Sequence, residues 1–357
     1  MEDRAIITSE SIDGAEPAAD APTDGGRSLA HRIKALLGGK AMRVAFILAA
    51  VGLGAYAVAD EWSQVSTGFA DLGAGSVVAA LAVVLLGLFV SMQVWRSLMA
   101  AAGSPVRLGP AARIFFIGQI GKYLPGAVWP VLAQMELGRA HRIPRQRSAS
   151  VAVIKMLIDL AASLLVAALA VAPGLAGGGA AGYSWAFLAV PLILIGLHPR
   201  VLNPVLDRLL KLARRPPQDV PLSGRAIVTA MAWGVLSWIL FGLSAWLLAV
   251  RLGATGERGL LLAVGGFAFA WAVGFLVVFA PAGAGVREVV LVATLSPVLD
   301  VGKATVVALA SRLLTTLADL IAAGSAASLG RGRRNGQATD GSAGPATAEP
   351  TSEIAGR

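Results

Sequence analysis

Six stretches of this chain, residues 43–59, 76–99, 148–172, 183–197, 225–250 and 303–328, are predominantly apolar. A helix needs ~20 apolar residues to cross ~30 Å of hydrocarbon. Runs of this length leave few alternatives to membrane-spanning helices, because a helix satisfies its own backbone where no water can. Hydrophobic residues make up 56% of the chain and charged residues only 14%, where a soluble domain carries about a quarter charged. The expected fold is therefore all-α, a polytopic integral membrane protein with about six full transmembrane helices.

Two further apolar regions are interrupted. Residues 111–137 contain Gly118, Gly121, Pro125, Gly126 and Pro130, and residues 260–299 are cut at Pro281-Ala-Gly-Ala-Gly285. Backbone freed by such breaks at membrane depth needs protein or water partners. Both regions are expected to be broken, re-entrant helical hairpins. Residues 260–280 alone would reach ~31 Å as a helix, enough to cross, whereas 113–121 reach only ~14 Å. A hairpin and a pair of full spans both remain open for 260–299. Paired breaks in two halves are the usual mark of an inverted-repeat transporter with its site near the midplane.

Charge orients the layout. With the N-terminus inside, 21 of the 30 Lys and Arg residues fall on cytoplasmic stretches and three, Arg251, Arg258 and Lys303, on outer ones. That is a strong positive-inside bias, and it puts both termini in the cytoplasm of a multi-pass cell-membrane protein. The same bias accounts for the net charge of +9 without invoking nucleic acid. Residues 1–42 open with a polar, acidic stretch and are expected to form a disordered tail, residues 43–329 the membrane domain, and residues 330–357 a second disordered tail. Ala55-Tyr56-Ala57 mimics a cleavage site, but the segment before it is too long for a signal peptide, so 43–59 reads as an uncleaved anchor. The outer loops are short, and function is expected within the membrane.

Ionisable groups inside a bilayer are expensive, and each is a functional candidate. The set comprises Lys122 and Glu136 in the first broken region, Lys155 with Asp159, Arg287 and Glu288 in the second broken region, and Arg312 with Asp319. Lys155 and Asp159 are four apart on one helix face. They read either as a self-neutralising pair or as a pair facing a polar cavity where the lysine meets a phosphate. Arg312 and Asp319 are two turns apart on one face, too far to pair directly, so each is expected to meet another helix. A half-helix starting near Gly126 offers free N–H groups to an anion beside Lys122. Pro281, Gly283 and Gly285 repeat that arrangement before Arg287. The competing reading is that these glycines and prolines only permit tight packing.

Gly121-Lys-Tyr-Leu-Pro-Gly126 with Glu136, together with Pro281-Ala-Gly-Ala-Gly-Val-Arg-Glu288, resembles the lysylphosphatidylglycerol synthase transmembrane-region family, the flippase part of multiple peptide resistance factors. The resemblance covers roughly residues 40–330. It implies an integral membrane fold with two re-entrant elements that moves a phospholipid or related lipid between leaflets. Gln119 and Ala282 depart from the Asn and Gly expected there. No aminoacyl-transferase domain accompanies the motifs, so the synthase activity of the family name is not expected here.

A lipid translocator is thus the leading expectation, with Lys122, Tyr123, Pro125, Gly126, Glu136, Lys155, Asp159, Pro281, Gly283, Gly285, Arg287, Glu288, Arg312 and Asp319 as substrate-binding candidates and membrane lipids as the partner. A homo-oligomer or a partner envelope enzyme is also possible on this reading. The runner-up is a glycosyltransferase using a polyprenyl-linked donor, resting on Asp60 and Glu61 at the outer end of the first helix. The third is an accessory scaffold subunit of a cell-envelope enzyme. Cysteine is absent and the three histidines, His31, His141 and His198, are scattered, which argues against a metal centre and a Ser–His–acid triad. No GxxxxGK[ST] signature occurs. No cofactor and no enzymatic activity are expected.

Overall fold

The computed structural model describes residues 67, 70–123, 129–175, 195–196, 198–212, 222–277, 283 and 285–340. Among them are nine α-helices and no strand. In chain order these are α1 (Gly73–Ala101), α2 (Leu108–Gln119), α3 (Trp129–Arg139), α4 (Arg145–Leu175), α5 (Pro199–Leu212), α6 (Gly224–Ala249), α7 (Gly256–Leu276), α8 (Val286–Leu295) and α9 (Val301–Asp340). Short 3-10 turns follow α2 at Ile120–Tyr123 and α6 at Val250–Leu252.

Local chemistry sets the boundaries. Ser223 caps α6 by accepting from the Ala226 N–H at 3.2 Å, the usual device for an unsatisfied first-turn donor. Asp300 does the same for α9 from the Lys303 N–H at 2.8 Å. The α6–α7 turn uses Gly253 at φ 113° and Gly256 at φ 73°, backbone that glycine adopts without steric penalty. Pro130 sits at the second residue of α3, where its missing N–H has no helical partner to lose.

Five helices among the described residues have the length and apolar character to cross a membrane: α1, α4 over Arg145–Val171, α6 with its following turn to Leu252, α7, and α9 over Val301–Ser328. The expected spans 76–99, 148–172, 225–250 and 303–328 therefore appear as helices with boundaries close to those expected. The expected span 43–59 lies outside the described residues, as does the span 183–197 apart from residues 195 and 196; residues 1–42 and 341–357 lie outside them too. The backbone of α9 is helical to Asp340, past residue 330 where the C-terminal tail was expected to begin.

The broken regions differ from each other. In the first, α2 and α3 have 12 and 11 residues, about 18 and 16 Å of helix. Neither crosses alone, as expected for a re-entrant pair. In the second, α7 has 21 residues and reaches about 31 Å. Between the two arrangements left open for 260–299, the structure sets the break after a helix of crossing length, and only α8, with 10 residues, is half-length.

The spans pack as α1 on α6, α7 on α4, and α6 on α7, while α9 touches α2, α1, α8 and α6. One large apolar core joins α4, α6, α7, α8 and α9, and a second joins α1, α2, the first half of α4 and the start of α6. Large apolar side chains also face outward along the spans, including Leu86 and Phe89 on α1, Val228 and Leu236 on α6, and Leu313, Leu320 and Ile321 on α9. Apolar residues on both the inner and outer faces of a helix fit a lipid surround.

Candidate functional site

Helix α9 carries two charged residues near the middle of its span, and each meets one of the chain breaks. At the first break, the turn after α2 brings Lys122 Nζ to within 2.6 Å of the Asp319 carboxylate. The Tyr123 hydroxyl donates to the same carboxylate oxygen at 2.6 Å. Asp319 is almost wholly buried, with 3% of its side chain exposed, so these two donors replace the water it has lost.

That contact depends on close backbone approach. A Cβ on Gly121 would lie 2.8 Å from the Pro130 nitrogen and the Trp129 carbonyl carbon. A Cβ on Gly118 would lie 2.6 Å from the Gln134 side chain. Glycine at both positions lets α3 close onto α2 and sets the turn that presents Lys122. Pro125 and Gly126 lie outside the described residues.

At the second break, Gly285, at φ 84°, precedes α8. Its N–H donates to Glu288 Oε2 at 2.7 Å, so the first turn of α8 is capped by its own acid. The other oxygen of Glu288 faces Arg312 Nε at 3.6 Å. Arg312 and Asp319 thus each reach a different element. Of the N–H groups at this helix start, the Gly285 N–H is thus already taken by Glu288.

Arg287 points elsewhere. Its guanidinium stands 5.6 Å from the centre of the Phe267 ring on α7, within cation–π range. Its aliphatic stem passes between Gly274 and Gly283: a Cβ on Gly274 would collide with the stem, and one on Gly283 would lie 2.9 Å from Arg287 Cδ. Gly283 has φ 69°. Phe267 belongs to an aromatic row that continues through Phe241, Trp238, Trp271 and Phe275 along α6 and α7. Arg287, Glu288 and Arg312, with Ser311, Thr315 and Phe267, line a small, partly open recess. Pro281 is outside the described residues.

Two expected members stand apart. Lys155 and Asp159 form a buried pair between α4 and α1. Lys155 Nζ also reaches the Ser91 hydroxyl at 3.2 Å and lies 5.2 Å from the Phe115 ring centre. The two residues share a helix face as expected, but neither bonds to the α9 centre. Glu136 is removed from it altogether. Its side chain is 63% exposed and takes hydrogen bonds from Arg145 at 2.9 Å and Arg139 at 3.0 Å. The Arg145 hydrogen bond, with Arg139 beside it, holds its carboxyl below the usual carboxylate range.

Sequence reasoning passed over Gly274 and Phe267, which hold Arg287, and Ser91 and Phe115, which accompany Lys155. A lone glycine in an apolar helix gives only a weak signal, and an aromatic in such a run gives none. Gln134 was more legible. It is a polar residue within the first broken region, buried against Gly118, and its Oε1 has no hydrogen-bond partner. Among the described residues no cluster of His, Asp or Glu has the arrangement of a metal site.

Residues 41–323 match the family described as Lysylphosphatidylglycerol synthase TM region. The match takes in both breaks, all five candidate spans up to residue 323, and every residue of the α9 centre. No curated protein matches the chain.

Proposed function

We propose a function from the premise that the chain belongs to the lysylphosphatidylglycerol synthase TM-region family: it moves a phospholipid or related anionic amphiphile between the leaflets of the cell membrane. The observation that carries this reading is the convergence of both chain breaks on α9, through Lys122 and Tyr123 at Asp319 and through Glu288 at Arg312. Charged groups in the middle of a bundle of apolar spans are expensive, and they mark substrate pathways in membrane proteins. A headgroup crossing the membrane needs such a polar track, while its acyl chains stay in lipid. The reading involves no bond cleavage, and both termini stand on the cytoplasmic side. The transferase alternative rests on Asp60 and Glu61, which lie outside the described residues.

The test is a leaflet-resolved lipid assay with the purified full chain in proteoliposomes. Asp319→Asn keeps the shape of the side chain but removes the charge that holds Lys122. Lipid movement is expected to fall by about tenfold or more, since breaking a hydrogen-bonded buried charge pair is worth several kcal/mol. Wild-type protein that inserts and stays folded but moves no lipid above empty vesicles overturns the proposal.

A further inference from the structure

Helix α5 is the element that the translocation site leaves unexplained. It is no span: its 14 residues reach about 21 Å, and Arg200, Asp207, Arg208 and Lys211 charge it along its length. Its start is held in three ways. His198 Nδ1 accepts from the Arg200 N–H at 3.3 Å, capping the first turn. Asn203 pairs with both backbone groups of Leu222, donating to the carbonyl at 3.1 Å and accepting from the N–H at 3.2 Å. Leu202 is buried with Leu222, Ile227 and Leu98 in the second apolar core. These contacts fix the roll of α5 about its axis, with Leu202 and Asn203 turned to the bundle. Successive residues of a helix are set about 100° apart, so the roll decides what faces away. Val201 and Val205 do, at 39% and 38% exposed, and so do the exposed Arg200, Arg208 and Lys211. The valines are about 40° apart, and the three bases fall within an arc of about 80° beside them.

A helix facing water turns polar groups outward; this one turns outward two adjoining sectors, one apolar and one basic. We infer that α5 lies in the headgroup layer of the cytoplasmic leaflet as an interfacial helix that gathers anionic lipid, its valines against acyl chains and Arg200, Arg208 and Lys211 against headgroup phosphates. An amphipathic helix with a basic polar face takes this seat. Charge complementarity names the lipid. The helix carries three bases against one acid, Asp207, and the positive-inside bias assigns its end of the bundle to the cytoplasm, where the leaflet surface is negative. Continuity argues the same way, since α5 abuts the first turn of the span α6: a Cβ on Gly224 would lie 3.5 Å from Pro199. A zwitterionic lipid serves the valines equally well but gives the bases no net charge to gather. Each basic side chain near an anionic surface raises local affinity by about fivefold, and less as salt screens it. The contact is made with lipid surrounding the bundle, not with lipid in transit, and it does not rest on translocation.

The chain has no cysteine, so Val205→Cys carries a single bimane dye on the full chain in phosphatidylcholine vesicles. Phosphatidylglycerol or phosphatidylcholine with a doxyl group on its tail is added to both leaflets at the same low mole fraction, and the quenching is compared. Phosphatidylglycerol is expected to quench about threefold better or more at low salt. That ratio is expected to fall toward unity at high salt and in the variant Arg200→Gln, Arg208→Gln, Lys211→Gln. Leu86→Cys, on an outward face of α1, is expected to give a ratio near unity throughout. Equal quenching by both lipids at Val205→Cys overturns the inference, as does a preference that the triple variant keeps. Quenching by aqueous iodide in place of either lipid overturns it too, since the valines then face water. So does shielding from all three quenchers, which means that a second copy or another protein covers them. If Val205→Cys fails to fold, Val201→Cys reads the same face. The ratio is measured at equilibrium, so a protein that moves no lipid can still show it, and one that moves lipid can still lack it.

Discussion

Lys155 and Asp159 show how a buried ion pair can be strong in place and still add little net stability. Their contact is short and largely shielded, and Ser91 and Phe115 complete the surround of the ammonium. One oxygen, Asp159 Oδ1, has no hydrogen-bond partner, so the desolvation of the carboxylate is only partly offset. Removing one member leaves the other charge stranded, at about 3–5 kcal/mol, whereas replacing both with apolar groups of similar volume is near neutral. Lys155→Met and Asp159→Leu should each lower the melting temperature in detergent, and the double substitution should recover most of the loss. A double variant no more stable than either single one would mean that the two groups hold something besides each other. The sequence placed these residues on one face, and spacing alone does that reliably. It gave no sign that α1 and α2 would enclose them with Ser91 and Phe115, apart from the α9 centre, because that separation depends on which helices are neighbours.

At the scale of an element, the α2–α3 hairpin is the most sensitive to a single methyl group. Gly121 faces backbone atoms of α3, at Trp129 and Pro130, and backbone cannot rotate aside as a side chain can. Gly121→Ala is therefore expected to push α3 outward, costing about 1–3 kcal/mol of stability as overpacked sites do, and to pull Lys122 from Asp319. Thermal unfolding in detergent reads the first effect; loss of lipid movement in correctly inserted protein reads the second. An alanine variant with wild-type stability would show that the hairpin has slack at this point. Gly75 makes the contrasting control, with open space around its missing Cβ. Four spans were legible because a run of apolar residues of membrane length has few alternatives. The crossing length of α7 was legible too, while the choice between a hairpin and two spans for 260–299 was not. The break at Pro281 draws attention to the middle of 260–299, while the helix has already ended at Leu276. The placing of Glu136 was hidden for a related reason. It is close in sequence to the motif, but α3 carries it out to Arg139 and Arg145, which lie at the exposed end of the hairpin.

For the whole molecule, orientation is the property that sequence addresses most directly. The bias of 21 to three in Lys and Arg predicts that Arg333 lies inside and Thr67 outside. The chain has no cysteine, so single cysteines at these two positions can be labelled without background. Membrane-impermeant maleimide should reach Thr67→Cys in intact cells and Arg333→Cys only after lysis; labelling of both from outside would invert or break the proposed topology. The assembly of the centre has a further consequence. Arg312 and Asp319 are seven residues apart, so they share nearly one azimuth on α9, offset by about 20°. They are two bolts on one bar. A modest turn of α9 about its own axis would withdraw both at once, freeing Lys122 and Tyr123 at one break and Glu288 at the other in a single stroke. Neither break can be unlatched by rotating α9 while the other stays fastened. The two breaks are thus mechanically linked through one helix: whatever turns α9 strains the Asp319 and Arg312 contacts in the same motion.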